Sequence, residues 1–391
     1  MQEVRLTGGR PHRVLAGHPW VYRTEVTGIP GDLEPGAIVD VLDDRGRFVG
    51  RGYANPASQI FVRILTRLKD EKVDRAFFRR LLETAVAYRE MFVHDTTAYR
   101  LVNAEADFLP GLIVDRYGDY LVVQTLALGI ARRQDLLADL LEELLRPKGI
   151  YERNDVSVRG LEGLEQVKGL LRGTLEKPVV VEENGIKLVI DIEDGQKTGF
   201  FLDQRENRLA VRSLVKGARV LDCFCYAGGF AVNAAVAGAR EVVCVDVSAG
   251  ALALAREHGR INNVEERMAF REGNGFDVLR DLAAEGERFD VVILDPPSFT
   301  KSKSAVEGAL RGYKEINLRG LKLIPPGGFL VTCSCSYHVT EDLFTAVVAE
   351  AARDTGRQLR LVEFRRQAKD HPMLLSTPET YYLKCGIFQV W

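Results

Sequence analysis

Apolar residues recur along this chain with two different periods. From Met1 to about Thr66 the apolar runs are short and strand-like, as in Ala37-Ile-Val-Asp-Val-Leu, Phe48-Val-Gly-Arg-Gly-Tyr and Gln59-Ile-Phe-Val-Arg-Ile-Leu. Turn formers at Pro30-Gly31, Pro35-Gly36 and Asp44-Arg-Gly46 separate them, so this stretch reads as a small β-rich module. The period then lengthens: Phe77, Phe78, Leu81, Leu82 and Ala85 fall on one face of a helix spanning Val73 to Met91. A second unit, from about Ala98 to Val180, holds strands at Gly111-Leu-Ile-Val-Asp and Tyr120-Leu-Val-Val-Gln, then a helix from Arg132 to Leu145. From about Val181 onward strands and helices alternate, the pattern of a parallel sheet with crossover helices. These changes of pattern divide the chain into 1–70, 71–180 and 181–391.

Composition narrows the class. The chain has 391 residues, enough for two or three domains and for a core that needs neither disulfide nor metal. It is 46% hydrophobic and 28% charged with a net charge of −2, an ordinary globular balance that excludes disorder, collagen and coiled coil. Residues 1–80 carry fourteen Lys or Arg against ten Asp or Glu. Such an excess is a solvated face or a phosphate-facing module, and alone decides nothing. The longest nearly charge-free run, Cys223 to Ala239, is broken by Gly228, Gly229 and Asn233 and is too short to span a bilayer. The first ten residues contain no apolar signal core, and six cysteines are too few for a disulfide scaffold. A cytoplasmic protein with reduced thiols and no membrane partner is expected.

The chemistry gathers at predicted strand ends after residue 181. The strand Ala218-Arg-Val-Leu-Asp-Cys-Phe-Cys runs into Tyr226-Ala-Gly-Gly and a helix from Phe230, and the next strand, Glu241-Val-Val-Cys-Val-Asp, ends at Asp246. Gly228 and Gly229 let backbone approach a ligand at a helix start, and a carboxylate about twenty residues on can accept both hydroxyls of a ribose. The loop lacks the Gly-x-Gly-x-x-Gly of dinucleotide enzymes, and looks more like the first motif of class I S-adenosylmethionine methyltransferases. A plain αβ turn with no ligand is the bland reading. A later strand, Phe289-Asp-Val-Val-Ile-Leu, ends in Asp295-Pro-Pro-Ser-Phe299. Its two prolines stiffen a loop where such folds bind substrate. This resembles the (Asp/Asn)-Pro-Pro-(Tyr/Phe) motif of methyltransferases acting on bases or amides, whose acidic group faces the nitrogen edge of the substrate while the aromatic ring stacks on it.

Finally, Thr332-Cys-Ser-Cys-Ser-Tyr closes the strand Gly328-Phe-Leu-Val, and alternation would put Cys333 and Cys335 on one face and Ser334 and Ser336 on the other. Packed small residues, a zinc pair with Cys223 and Cys225, and redox thiols compete with a nucleophile at one of these positions. A nucleophile has a chemical purpose here. Carbon 5 of a pyrimidine attacks a methyl sulfonium only after a thiolate has added to carbon 6.

Over essentially its whole length the chain resembles the bacterial 23S ribosomal RNA large-subunit methyltransferase I family, cytosine-C5 enzymes that use S-adenosylmethionine. Gly17-His-Pro-Trp-Val-Tyr is similar to the opening of its RNA-binding PUA domain, and Leu101 to Gly118 to its small α/β linking domain. Gln196-Lys-Thr-Gly-Phe-Phe-Leu-Asp-Gln-Arg-Glu-Asn-Arg208 is similar to its cofactor-loop motif, and Asp370-His-Pro with Pro378-Glu-Thr-Tyr-Tyr-Leu-Lys384 to its carboxyl-terminal hairpin. The resemblance implies a Rossmann-like α/β fold with a seven-stranded, mostly parallel sheet behind a PUA domain and a linking domain. It implies Cys335 rather than Cys333 as nucleophile, Asp295 on the cytosine edge, and Pro296, Pro297 and Phe299 against the base. Lys197, Phe200, Asp222, Phe224, Gly228, Asp246, Asn274 and Asp295 would line the cofactor. Asn274 stands where many relatives of this fold place an Asp against adenine N6. Ser298 stands where some RNA cytosine-C5 enzymes carry a second cysteine. No metal is expected; ribosomal RNA is the expected partner, with a second copy of the chain as a further candidate. Two alternatives stay open: methylation of another base, such as guanine, with Cys335 merely packed, and an RNA-binding protein whose methyltransferase domain is inactive.

Overall fold

The computed structural model describes residues 2–8, 13–300 and 302–391. They form two compact units: one holds Met1–Val181, Ile190–Leu202 and Lys369–Thr380, the other Glu182–Val189, Asp203–Ala368 and Tyr381–Trp391.

In the first unit, Val39 and Val41 are buried while Ile38 and Asp40 are less so, the alternation that makes Ile38–Leu42 a half-buried strand. It belongs to a six-stranded sheet with Phe48–Ala54 and Ile60–Thr66, as expected, and with Gln2–Leu6, Trp20–Tyr22 and Val26–Thr27, which the sequence reading did not single out. Gly52 is needed there, because a Cβ would come 2.0 Å from the Arg63 carbonyl oxygen on the neighbouring strand. The expected helix spans Arg75–Phe92, capped by Asp74, whose carboxylate accepts the Phe77 N–H at 3.1 Å. It buries Phe77, Phe78, Leu81, Leu82 and Ala85 in one core with a five-stranded sheet. Only Tyr120–Thr125 and Gly149–Arg153 run parallel in that sheet, and the helix Gln134–Leu145 crosses between them.

The second unit is built on a seven-stranded sheet: β1 (Arg219–Cys223), β2 (Glu241–Asp246), β3 (Met268–Glu272), β4 (Val291–Leu294), β5 (Phe329–Ser334), β6 (Leu359–Arg365) and β7 (Lys384–Val390). Their order is β3-β2-β1-β4-β5-β7-β6. The first five are mutually parallel, and β7 pairs antiparallel with both β5 and β6. β4 is apolar and buried along its length, and β1 is buried from Val220 to Cys223, as strands covered on both faces are. The expected fold class is therefore the one found. The order reverses at β1, and in open parallel sheets the crevice at the carboxyl ends of the strands on either side of that reversal is where ligands bind.

Among the described residues, no helix is long and apolar enough to cross a membrane.

Candidate active site

The loop after β1 is held in a conformation that few residues tolerate. Phe224 and Tyr226 have φ values of 68° and 48°, left-handed for non-glycine residues, and Gly228 follows at 71°. A Cβ on Gly228 would sit 2.8 Å from the Ala255 Cβ, so only glycine lets the loop lie against the helix Ala249–Ile261. His258 of that helix is buried and pins the loop. Its Nδ1 meets the Ala227 carbonyl at 2.8 Å and its Nε2 accepts the Val189 N–H at 2.9 Å. Burial pushes its pKa down, so the imidazole is neutral.

Three carboxylates stand at this edge. Asp246, ending β2, is fixed by backbone donors: the Tyr226 N–H at 2.8 Å and the Ser248 N–H at 3.0 Å. A half-buried carboxylate fixed on its inner side keeps acceptor sites for ligand hydroxyls. Asp222, on β1, is fully buried and accepts the Ala231 N–H at 2.9 Å with one oxygen, while the other has no partner among the described residues. Burial first, and the neighbouring Asp295 and Asp246 next, push its pKa up to about 8. Asp295 itself follows β4 and is half-buried.

This field bears on which nucleoside ligand the edge can take. A pyrophosphate would bring further negative charge to carboxyls whose proximity already raises the Asp222 pKa, whereas a cationic sulfonium and its ammonium would relieve that field. The orphaned Asp222 oxygen and the glycine at 228 fit S-adenosylmethionine. Asn274 is exposed and caps the helix Gly275–Ala284, its Oδ1 accepting the Phe276 N–H at 2.9 Å. Since an amide oxygen has two lone pairs, one stays available to an adenine N6. Phe224 packs beside it; a Cβ on Gly275 would strike that ring at 2.5 Å.

Lys197 and Phe200 lie in the first unit. Lys197 Nζ sits 4.5 Å from the Phe201 ring centroid, and the buried Phe200 donates its N–H to the Tyr117 hydroxyl at 3.1 Å.

Across β4 the chemistry changes. β5 stops at Ser334, so the expected alternation does not reach Cys335. Cys333 lies within the sheet opposite Cys385, buried, its thiol pushed up by that neighbour and by burial. Cys335 lies past the strand end, half-buried, with its Sγ 4.0 Å from the Pro296 carbonyl oxygen. The turn is held there by Ser336, whose Oγ is 3.0 Å from Ser298 Oγ and 2.9 Å from the Tyr313 hydroxyl. Asp-Pro-Pro-Ser and Ser-Cys-Ser are thereby joined through Ser298 and Ser336. Pro296 is buried and Pro297 exposed. Phe299 is half-buried, its ring 4.6 Å from that of Tyr313 and 5.8 Å from that of Phe276. Among the described residues, none of the six cysteines is in a disulfide.

Sequence reasoning missed one group. Lys384, the first residue of β7, is only 1% exposed, and its Nζ donates to the Ser336 carbonyl at 2.7 Å and the Tyr382 carbonyl at 2.8 Å. A lysine opening a strand reads as solvated. Nothing in the local pattern says that β7 is placed between two others.

Comparison with known proteins agrees with this architecture. A family model described as S-adenosylmethionine-dependent methyltransferase matches residues 166–378, and one described as PUA-like domain matches 4–67. The chain is 45% identical over 393 residues to "Ribosomal RNA large subunit methyltransferase I" of Shewanella denitrificans, covering 99% of each. It is 44% identical to the protein of that name from Tolumonas auensis, covering 97% of each. A solved structure described as a methyltransferase complexed with SAH superposes with a TM-score of 0.86 at 22% identity, over 99% of this chain and 100% of that one, a likeness of fold.

Proposed function

Because the chain belongs to the ribosomal RNA large subunit methyltransferase I family, we propose that it methylates carbon 5 of a cytosine in 23S ribosomal RNA through a covalent adduct at Cys335. The observation that carries this reading is the placement of the Cys335 sulfur 4.0 Å from the Pro296 carbonyl, beside the Asp-Pro-Pro loop and off the buried sheet.

When bound, S-adenosylmethionine supplies an electrophilic methyl group. The target cytosine leaves its stack so that its ring reaches the ends of β4 and β5. Asp295 accepts from the exocyclic amine, and the two prolines keep that carboxylate from swinging away. The Cys335 thiolate adds to carbon 6 and its electron pair passes through the ring, so carbon 5 becomes the nucleophile that takes the methyl group. Carbon 5 then loses its proton to a base, the 5,6 double bond re-forms and the thiolate leaves. Cys333, buried in the sheet opposite Cys385, serves packing.

RNA carrying 5-fluorocytosine tests the scheme, because fluorine does not leave as a proton does and the adduct persists. Denaturing electrophoresis should show a protein–RNA cross-link that requires cofactor and disappears with Cys335→Ala. Methylation without any adduct would instead indicate direct attack by a ring nitrogen.

A further inference from the structure

A buried ammonium stands beside the candidate nucleophile without a carboxylate of its own. Among the described residues, Lys384 makes no ion pair; two of its three N–H bonds go to the Ser336 and Tyr382 carbonyls. Burying a charge costs several kcal/mol unless an opposite charge answers it. Two carbonyl oxygens need only neutral donors, so they do not account for a cation.

The surroundings show what does. In the β5–β7 register Lys384 faces Ser334, and its bond to the Ser336 carbonyl places the ammonium against the two residues that flank Cys335. Burial pulls the Lys384 pKa down to about 8, and the groups that pull it back up are Cys335 first and Glu341 second. Glu341 is already engaged, accepting the Tyr381 hydroxyl at 2.9 Å and lying 3.6 Å from an Arg366 nitrogen. The Tyr381 ring centroid is 5.9 Å from Nζ, and its phenol is pushed up to about 12 by burial and by Glu341. Tyr313, hydrogen-bonded to Ser336, is likewise pushed up to about 12, by burial first and with a contribution from Cys335. Both phenols are neutral at pH 7, which leaves the thiol as the partner able to carry the answering charge.

We propose that Lys384 is the positioning residue that holds Cys335 as a thiolate, its third N–H and its charge directed at the sulfur while two carbonyls fix its location. An ordinary thiol is only a few per cent ionised at pH 7, so this pairing would raise the reactive fraction. No proton need pass between them during turnover: the ammonium stays charged and stabilises the anion both before addition and after release. This proposal rests on the reading of Cys335 as nucleophile.

The test is the pH dependence of Cys335 alkylation by iodoacetamide, followed by peptide mass mapping, in the whole enzyme. In the native protein the midpoint should lie at least about one unit below the ordinary value of about 8.5. In Lys384→Gln it should move up, slowing alkylation at pH 7 by about tenfold or more. Lys384→Arg should stay near the native profile. The acid limb of kcat should move up with it in Lys384→Gln, restoring turnover at pH 9, while unchanged S-adenosylmethionine affinity reports an intact sheet. A native midpoint at or above 8.5, or a folded Lys384→Gln with the native profile, overturns the proposal. Should Lys384→Gln not fold, the reciprocal measurement decides. With ¹³C-labelled lysine, Lys384 should lose its proton at lower pH in Cys335→Ala than in the native enzyme, and equal midpoints overturn the pairing. The nucleophile reading is separable. A shifted alkylation profile without a 5-fluorocytosine adduct overturns the role of Cys335, and with it any effect of Lys384 on turnover. An adduct formed at the native rate by Lys384→Gln at pH 7 overturns the role of Lys384 alone.

Discussion

The two halves of one sheet edge carry opposite electrostatics. At the ends of β1 and β2, Asp222 and Asp246 accept hydrogen bonds from backbone amides, and Asp295 adds to the same field. At the ends of β5 and β7 stand a thiol and a buried ammonium. The first half is a group of carboxyls whose proximity and burial raise the Asp222 pKa, a field that a cationic ligand would relieve. The second, on the pairing proposed above, holds its counter-charge within the protein. A single strand, β4, separates them in the sheet order. The difference teaches that one crevice can favour a sulfonium and a thiolate together, provided the thiolate has its own counter-charge and does not borrow the cofactor's.

The largest effect that would sharpen this contrast is at the thiols. Cys335→Ala should abolish turnover while cofactor affinity stays native, whereas Cys333→Ala should keep turnover and cost about 1 kcal/mol of stability, measured by urea unfolding. Activity in Cys335→Ala would break the comparison outright. Next, Asp246→Ala should weaken S-adenosylmethionine binding by about 2–4 kcal/mol through two lost charge-assisted hydrogen bonds, with NAD as the calorimetric control. Unchanged affinity, or preference for NAD, would show that the acidic half is not a ribose and sulfonium site.

A subtler effect concerns Asp222. Its folded pKa of about 8 lies above the unfolded value of 3.8, so the free protein holds a proton there at pH 7. The stability this contributes is complete below the unfolded value and is lost as pH rises through about 8. A bound cation favours the carboxylate. Binding at pH 7 should therefore release up to about one proton, and affinity should rise up to about tenfold per pH unit below 8. Calorimetry in two buffers of different ionisation enthalpy reads the proton directly, and Asp222→Asn should erase it. Proton uptake would contradict the cationic ligand.

The smallest effect is at His258. Its folded pKa is depressed, so the unfolded chain binds a proton that the native state refuses. Stability should fall as pH drops below about 6.5, by up to about 1.4 kcal/mol per unit, and His258→Gln should flatten that limb of the unfolding curve.

How much of this could be read from the sequence follows the same division. Asp246, Gly228 and the Asp-Pro-Pro loop were legible because each is set by its neighbours in the chain: a strand, a turn that needs glycine, two prolines. The alternation of strands and helices after Val181 announced a parallel sheet with crossover helices. The other half was not legible. That β5 ends before Cys335 depends on Tyr313, Ser298 and Lys384, which lie between 22 and 49 residues away in the chain. Lys384 reads as a solvated strand start until β7 is known to lie between β5 and β6. His258 reads as one more polar residue of an amphipathic helix, because its partners Val189 and Ala227 are 69 and 31 residues distant.

The insertion of β7 has a consequence for the order of events during folding. β6 pairs with β7 alone, so it joins the rest of the sheet only through a strand that comes later in the chain, and the β5–β7 pairing spans a longer stretch of chain than the β6–β7 pairing. Pairings across long stretches of chain form late, since the entropy of closing the loop is lost before the contacts are gained. Lys384 reaches Ser336 only in that step. Until then Cys335 is an ordinary thiol, mostly protonated and slow to react with electrophiles. If Lys384 holds Cys335 as a thiolate, the unfinished states lack that activated sulfur, and the speed at which it reacts is a clock for the closing of the sheet.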